Sequence, residues 1–194
     1  MKNIEVRSLY SDTDLPKMFH SSQRHDRFVI VCLTSGQGVH NIDLYKHRYI
    51  GPVAFVLSPG QIHRIDHKGR PGGWIVSFSS SVFNDENEYK DMILETCIFD
   101  SETACPIIPL YPDMADRFAV IFGLLQTELR LEEPDTADVV SSYLRVLINY
   151  INRIKRKKMI GQLEMSDPAY LLFRRFKVAV EKNFRNEHSV QTYA

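Results

Sequence analysis

Val53-Ala54-Phe55-Val56-Leu57-Ser58-Pro59-Gly60-Gln61-Ile62-His63 is the stretch on which the reading of this chain turns. A short apolar run, with β-branched and aromatic residues, enters Ser58-Pro59-Gly60 and resumes with a period of two through Ile62, His63, Arg64 and Ile65. Pro59 presets a turn φ and Gly60 tolerates a positive one, so the spacing predicts strand, tight turn, strand. One imidazole, His63, is thereby placed at the start of a new strand. In small β-barrels, inward-facing residues near the rim can line a cavity.

The same punctuation recurs on both sides. Ile4, Val6, Ser8 and Tyr10 alternate like a strand closed by turn residues, and a polar segment from Met18 to Arg27 carries His20, His25 and Asp26. Phe28 to Leu33 reads as a buried strand, Gly36-Gln37-Gly38 as a hairpin turn, and Val39 to Tyr45 as the returning strand. Lys46 to Ile50 and Gly51-Pro52 lead into the opening stretch, and a turn over residues 68–73 precedes the strand Trp74 to Phe78. Six or more short strands in about eighty residues predict an antiparallel β domain over the first half.

The pattern changes after Phe83. Residues 84–91 are acidic and read as a short helix or loop, and Pro106 and Pro109 bracket an extended Ile107-Ile108. From Pro112 the spacing is helical, with Met114, Phe118, Ile121, Phe122, Leu125 and Leu129 on one face. Asp135 or Thr136 can cap a second helix. Its apolar set Val139, Val140, Tyr143, Leu144, Leu147, Ile148, Ile151 and Ile154 is wide enough to face two surfaces. The short loop makes these an antiparallel pair, and the spare apolar surface predicts a homodimer through Tyr143, Leu144, Leu147, Ile148 and Ile151. Gly161 to Asp167 reads as a linker, and Pro168 stands at the first position of a third helix carrying Leu172, Phe173, Phe176, Val180 and Phe184. A last helix beginning at Ser189 has only five residues after it, which suggests a piece of a longer protein.

Composition bounds the function. The chain has 194 residues, 44% hydrophobic and 11% aromatic, as a globular protein does, and its start lacks the pattern of a secretory signal. With no long apolar run, the expectation is a cytoplasmic protein without a membrane span. Cys32, Cys97 and Cys105 lack metal-site spacing and read as buried free thiols. A net charge of zero conceals an asymmetry: residues 1–134 hold 13 Lys+Arg against 18 Asp+Glu, and residues 135–194 hold 11 against 6. The basic C-terminal part suits a nucleic-acid partner, and equally a solvated helix face.

Leu33-Thr34-Ser35-Gly36-Gln37-Gly38, Phe55 to His63 and Trp74-Ile75-Val76-Ser77-Phe78 together resemble the N-terminal sensor domain of AraC/XylS-family transcription regulators. The resemblance implies an α+β chain: a cupin-like antiparallel barrel over residues 1–110, a helical dimerisation hairpin over 111–160, and a linker with the start of a helix-turn-helix domain over 161–194. It implies a DNA-binding regulator whose small-molecule effector sits in the barrel. Arg174, Arg175 and Lys177, away from the apolar side of the third helix, become the candidates for DNA contact. Only the first helix and the start of the second of that domain are present, so DNA is to be bound by the full-length protein and not specifically by this chain.

Candidate ligand residues are His25, His40, Tyr45, His63 and Trp74, with Tyr49 nearby. An aromatic ring supplies area and imidazoles supply orientation in such a pocket. Trp74 as ordinary core and His63 as a turn ligand are the competing assignments. Metal-binding cupins use a His-x-His pair, but His40 is followed two places on by Ile42, so neither a metal nor another cofactor is expected. The rival class is a metal-dependent cupin enzyme with a helical extension. Where sugar-sensing relatives carry an Arg before the Gly-x-Gly turn and a Tyr two places after the His, this chain has Ser35 and Ile65, so the effector is not transferable.

Overall fold

The computed structural model describes residues 3–10, 17–83, 98–99, 107–131, 133–160, 176 and 189. Among these, the strands are β1 (Ile4–Ser8), β2 (Gln23–Arg24), β3 (Phe28–Leu33), β4 (Gln37–Ile42), β5 (Tyr45–Ile50), β6 (Val53–Leu57), β7 (Ile62–His67), β8 (Gly73–Phe78) and β9 (Ile107–Pro109). They form two antiparallel sheets, one ordered β1-β8-β3-β6-β9 and the other β2-β7-β4-β5. The deciding stretch is β6, a turn and β7. Gly60 takes φ +87°, and its N–H donates to the carbonyl of His25 at 2.8 Å, which ties the turn to the segment leading into β3. The Ser58 N–H donates to Gln61 Oε1 at 2.8 Å, and the Ser58 hydroxyl donates to the carbonyl of Phe99.

One expected strand is in fact a hairpin. The chain from Val39 to Tyr45 breaks at Asp43, whose φ of +52° Asp tolerates better than most residues. Its carboxylate accepts from the Ile62 N–H at 3.0 Å and from the Gln61 amide at 3.2 Å. The chain then returns as β5, an edge strand with Tyr49 buried and polar residues around it.

Register explains the core. Val31 lies opposite Phe55 on one side and Ile75 on the other, so these residues share a face. On that face Val29, Leu33, Val53 and Leu57 join them and meet Ile42, Tyr49 and Ile65 of the second sheet. The opposite face of the first sheet is apolar too, with Ile30, Cys32, Val56, Val76 and Phe78 buried, so β3 and β6 read as unbroken apolar runs. The two sheets therefore pack face to face, and no ladder among the described residues closes them into a barrel. Cys32, fully enclosed, has its thiol pKa pushed up to about 12 by burial, which keeps it unreactive. Cys97 and Cys105 and the acidic residues 84–91 lie outside the described residues.

Two helices follow, α1 (Pro112–Leu131) and α2 (Thr136–Ile160). In α1 the buried residues are Ala115, Phe118, Ile121, Phe122 and Leu125, the middle of the expected face. This helix lies against β1 and β8. Phe122 stacks on Trp74 with centroids 5.7 Å apart and planes at 3°, and the Gln126 amide donates to the Val6 carbonyl at 3.5 Å. The helices run antiparallel, as expected: the Thr136 hydroxyl accepts from the Glu133 N–H at 3.0 Å and donates to Glu128 at 3.1 Å, while Phe118 meets Tyr150 with ring centroids 6.4 Å apart.

The expected dimer residues need correction. Leu144, Leu147, Ile148 and Ile151 are fully buried within a single chain and Tyr143 is half-buried, so the apolar face of α2 is consumed by the fold itself. A second copy would reach those four only by opening the core. By contacts the chain divides into two compact units, Met1–Asn152 and Arg153–Ala194, so the sheets, α1 and α2 up to Asn152 belong to one body.

Candidate ligand cavity and buried histidine pair

Alternation along the strands decides which side chains enter the space between the sheets. His40 on β4 and His63 on β7 are both inward, and both are enclosed, at 0% and 1% exposure. His40 Nε2 and His63 Nδ1 stand 3.1 Å apart in a hydrogen bond, and the edge of the His40 ring meets Phe55 at a centroid distance of 4.5 Å. His25, just past β2, places its ring 5.1 Å from that of His63. Three of the five predicted ligand residues are thus brought into one row, His25, His63, His40.

Burial keeps the row neutral. Burial, the neighbouring His63 and then His47 hold the His40 pKa well below its usual value. Burial, then His25, brings His63 down to about 4, with Asp43 opposing in part, and burial lowers His25 against the pull of Asp26. A hydrogen bond between two neutral imidazoles uses one proton of two. One outer nitrogen of the pair then carries a hydrogen and the other a lone pair, and exchange of tautomer swaps them. Among the described residues, those outer atoms, His40 Nδ1 and His63 Nε2, are buried without a partner, as is His25 Nε2.

The row ends in a cavity of about 300 Å³ between the sheets. Glu5 and Arg7 of β1, Ser77 of β8, Lys17 of the 3-10 turn Lys17–Phe19, and Gln23 and His25 supply its polar lining, over a floor of Met18, Val29 and Ile75. β1 and β8 pair Glu5 with Ser77 and Arg7 with Ile75, which puts these four on the inner face. The intervening Val6 and Trp74 point to the other side, where α1 lies.

Two predicted residues are placed elsewhere. Trp74 stands on the outer face of β8 between Tyr10 and Phe122, because its neighbour Ile75 takes the inward position. Tyr45 is 70% exposed at the start of the edge strand β5. Arg174, Arg175 and Lys177 lie outside the described residues. A second polar contact joins Tyr49 Oη to His67 Nδ1 at 2.8 Å, below the core. Among the described residues, no three His, Cys, Asp or Glu side chains are grouped to hold a metal ion.

Sequence reasoning missed Glu5, Arg7, Lys17, Gln23 and Ser77. Charged residues alternating with Ile4 and Val6 are ordinarily the wet side of an edge strand. The available signal was that β1 has apolar residues on one side and paired charges on the other, directly before a chain segment rich in His. Comparison with known proteins finds no family model and no curated protein that matches this chain.

Proposed function

We propose that this chain is the ligand-sensing and dimerisation portion of a cytoplasmic, DNA-binding transcriptional regulator of the AraC/XylS type, its two packed sheets corresponding to a cupin-type barrel. The observation that carries the reading is the double use of β1 and β8. Their inward residues Glu5, Arg7, Ile75 and Ser77 line the cavity, and their outward residues include Trp74, which is stacked on Phe122 of α1. A molecule that shifts these strands shifts the surface on which the helix rests, and through the helices the DNA-binding part of the full-length protein. Such a response needs an effector that binds the two arrangements unequally.

The test is a thermal-shift screen against sugars, sugar acids, aromatic and aliphatic acids and divalent transition metals. An effector at a hundredfold excess over its Kd is expected to raise Tm by on the order of 5 °C. The rise should be lost in His25→Ala, and hydrogen exchange in α1 should slow on binding. A shift produced by a transition metal alone, with none from any organic compound, would sink the sensor reading and favour a metal-dependent enzyme.

Dimerisation, on this reading, moves from α2 to the outer stripe of α1, where Val120, Leu124 and Leu131 are exposed at helical spacing. Leu124→Glu is expected to leave the fold intact and to weaken a dimer at least about tenfold, because it buries a charge at the contact. Sedimentation equilibrium reads the change. A Kd that does not move removes α1 from the interface.

The cytoplasmic placement is part of the proposal; no helix of the described residues is long and apolar enough to cross a membrane.

A further inference from the structure

We infer that the outer face of the β2-β7-β4-β5 sheet is a docking surface for double-stranded nucleic acid, held through its phosphate backbone without reading of sequence. Alternation places the residues. His40, His63 and Tyr49 are inward, so their strand neighbours point the other way: Arg24 on β2, Arg64 and Asp66 on β7, and Lys46 and Arg48 on β5. Lys68 follows Asp66 two places on, and with Asp66 and Arg48 it borders one open groove of about 1060 Å³. Arg24, Lys46, Arg48, Asp66 and Lys68 are all exposed, and α1 packs on the other sheet, against β1 and β8. The face has no part in the cavity beside His25, so the inference stands apart from the sensor reading.

Charge selects the partner. Arg64 Nε pairs with Asp66 at 3.0 Å, and the Asn41 amide donates to the same carboxylate at 2.8 Å, so the acceptor on this face is already in use. Arg24, Lys46, Arg48 and Lys68 have no ion-pair partner among the described residues. A solvated face would mix its signs, above all within residues 1–134, where Asp and Glu outnumber Lys and Arg by 18 to 13. Four unpaired cations around one occupied carboxylate are instead the footprint of a polyanion site.

Spacing and surface select further. Residues two apart on a strand are about 7 Å apart, and strands two apart in a sheet about 10 Å. Lys46 and Arg48 on β5 and the basic residues of β7 therefore form two rows across the neutral Val39 and Asn41 of β4, able to meet several phosphates at once. No Phe, Tyr or Trp stands at an outward position of these four strands, so the unstacked bases of a single strand would find no platform. An acidic protein would need an apolar centre to anchor it. The exposed Ile50 and Ile62 stand at opposite ends of the sheet and make none.

The test is the fluorescence anisotropy of a labelled duplex of about twenty base pairs and arbitrary sequence, titrated with the 194-residue chain between about 50 and 200 mM salt. Binding is expected. The double variant Lys46→Gln, Arg48→Gln should weaken it about tenfold or more and reduce the slope of log K against log salt by about two. Asp66→Asn removes the carboxylate and should tighten binding, a gain that misfolding would not produce. Residues 135–194 are basic as well, so the same pair of substitutions is repeated in a chain carrying Arg174→Gln, Arg175→Gln and Lys177→Gln, where the slope should fall by the same amount. No binding of the duplex by the unchanged chain would overturn the inference, as would no gain from Asp66→Asn. A slope that the double variant leaves unchanged would overturn it too. If binding is then lost on substituting Arg174, Arg175 and Lys177, the DNA contact of the regulator reading stands alone. Poly-glutamate or a single strand bound more tightly than the duplex would overturn it in favour of that partner.

Discussion

Gly73→Ala is expected to cost the fold about 2–6 kcal/mol of stability. Gly73 opens β8 with φ +143°, a conformation that side chains rarely adopt, and it pairs with Leu33 of the central strand β3. A Cβ built there would lie 1.9 Å from the Cys32 carbonyl oxygen and 3.1 Å from Leu33 Cα. Both neighbours are backbone of the most enclosed strand, so neither can rotate aside. Backbone strain and overpacking cost about 1–3 kcal/mol each. Together they reach only the lower end of a typical domain's stability, which is about 5–15 kcal/mol. The Leu9 N–H, which donates to the Gly73 carbonyl at 2.8 Å, would be displaced with it, loosening the end of β1. Urea denaturation followed by circular dichroism measures the loss. Gly69→Ala is the control: φ is +79° but nothing lies within 4 Å of its Cβ, so only the strain remains. That variant should lose about 1 kcal/mol. Near-equal losses at the two sites would show that β8 does not enter the sheet as described.

Acid should destabilise the fold well before its carboxylates are protonated. His63 falls from 6.5 to about 4 on folding, through burial and then its neighbour His25, and His40 is likewise held well below its usual value by burial and by His63. In the unfolded chain both take up protons near pH 6.5, while in the folded chain they stay neutral, so the unfolded state binds more protons and stability falls as pH is lowered. The stability is therefore complete above about pH 7 and is lost as pH drops from 6.5 towards 4. His63 alone accounts for about 2 kcal/mol at pH 5 and roughly 3 kcal/mol by pH 4. His25 and His47 add in the same direction, each lowered by burial, and Asp43 works against the trend at His63. Urea midpoints between pH 7.5 and 5 test this, with His63→Gln as comparison. The variant should be less stable at pH 7.5, where a buried hydrogen bond is disturbed, and should show a flatter pH profile. An unchanged slope would mean that His63 is not enclosed in the native state.

How much of this was legible depended on whether polarity and direction agreed. Phe28 to Leu33 and Val53 to Leu57 are apolar on both faces, so their strands could be read without knowing which way any side chain points. The turn at Ser58-Pro59-Gly60 and the placement of His63 followed from local turn chemistry and were found as read. The helix α1 was legible from Phe118, Ile121, Phe122 and Leu125, which only a 3.6-residue period brings together. Direction was the weak point. Trp74 and Ile75 are both apolar, so alternation alone does not say which faces the second sheet, and the larger ring suggested the wrong one. β5 carries Lys46, His47 and Arg48 around a single buried Tyr49, too little apolar signal for a strand. In α2, the apolar face was wide enough for a partner, but its width is used by the chain's own core.

The strict alternation in β1 and β8 has a genetic consequence. In both strands odd-numbered positions, Glu5, Arg7, Ile75 and Ser77, turn towards the cavity, and even-numbered ones such as Val6 and Trp74 turn away from it. A library of substitutions across these strands should therefore sort by the parity of the residue number. Odd positions should alter which compound is recognised, and even positions how strongly recognition is felt by α1. Deleting one residue from the middle of β1 would exchange the two roles beyond that point, turning hydrocarbon into the cavity and charge onto the helix.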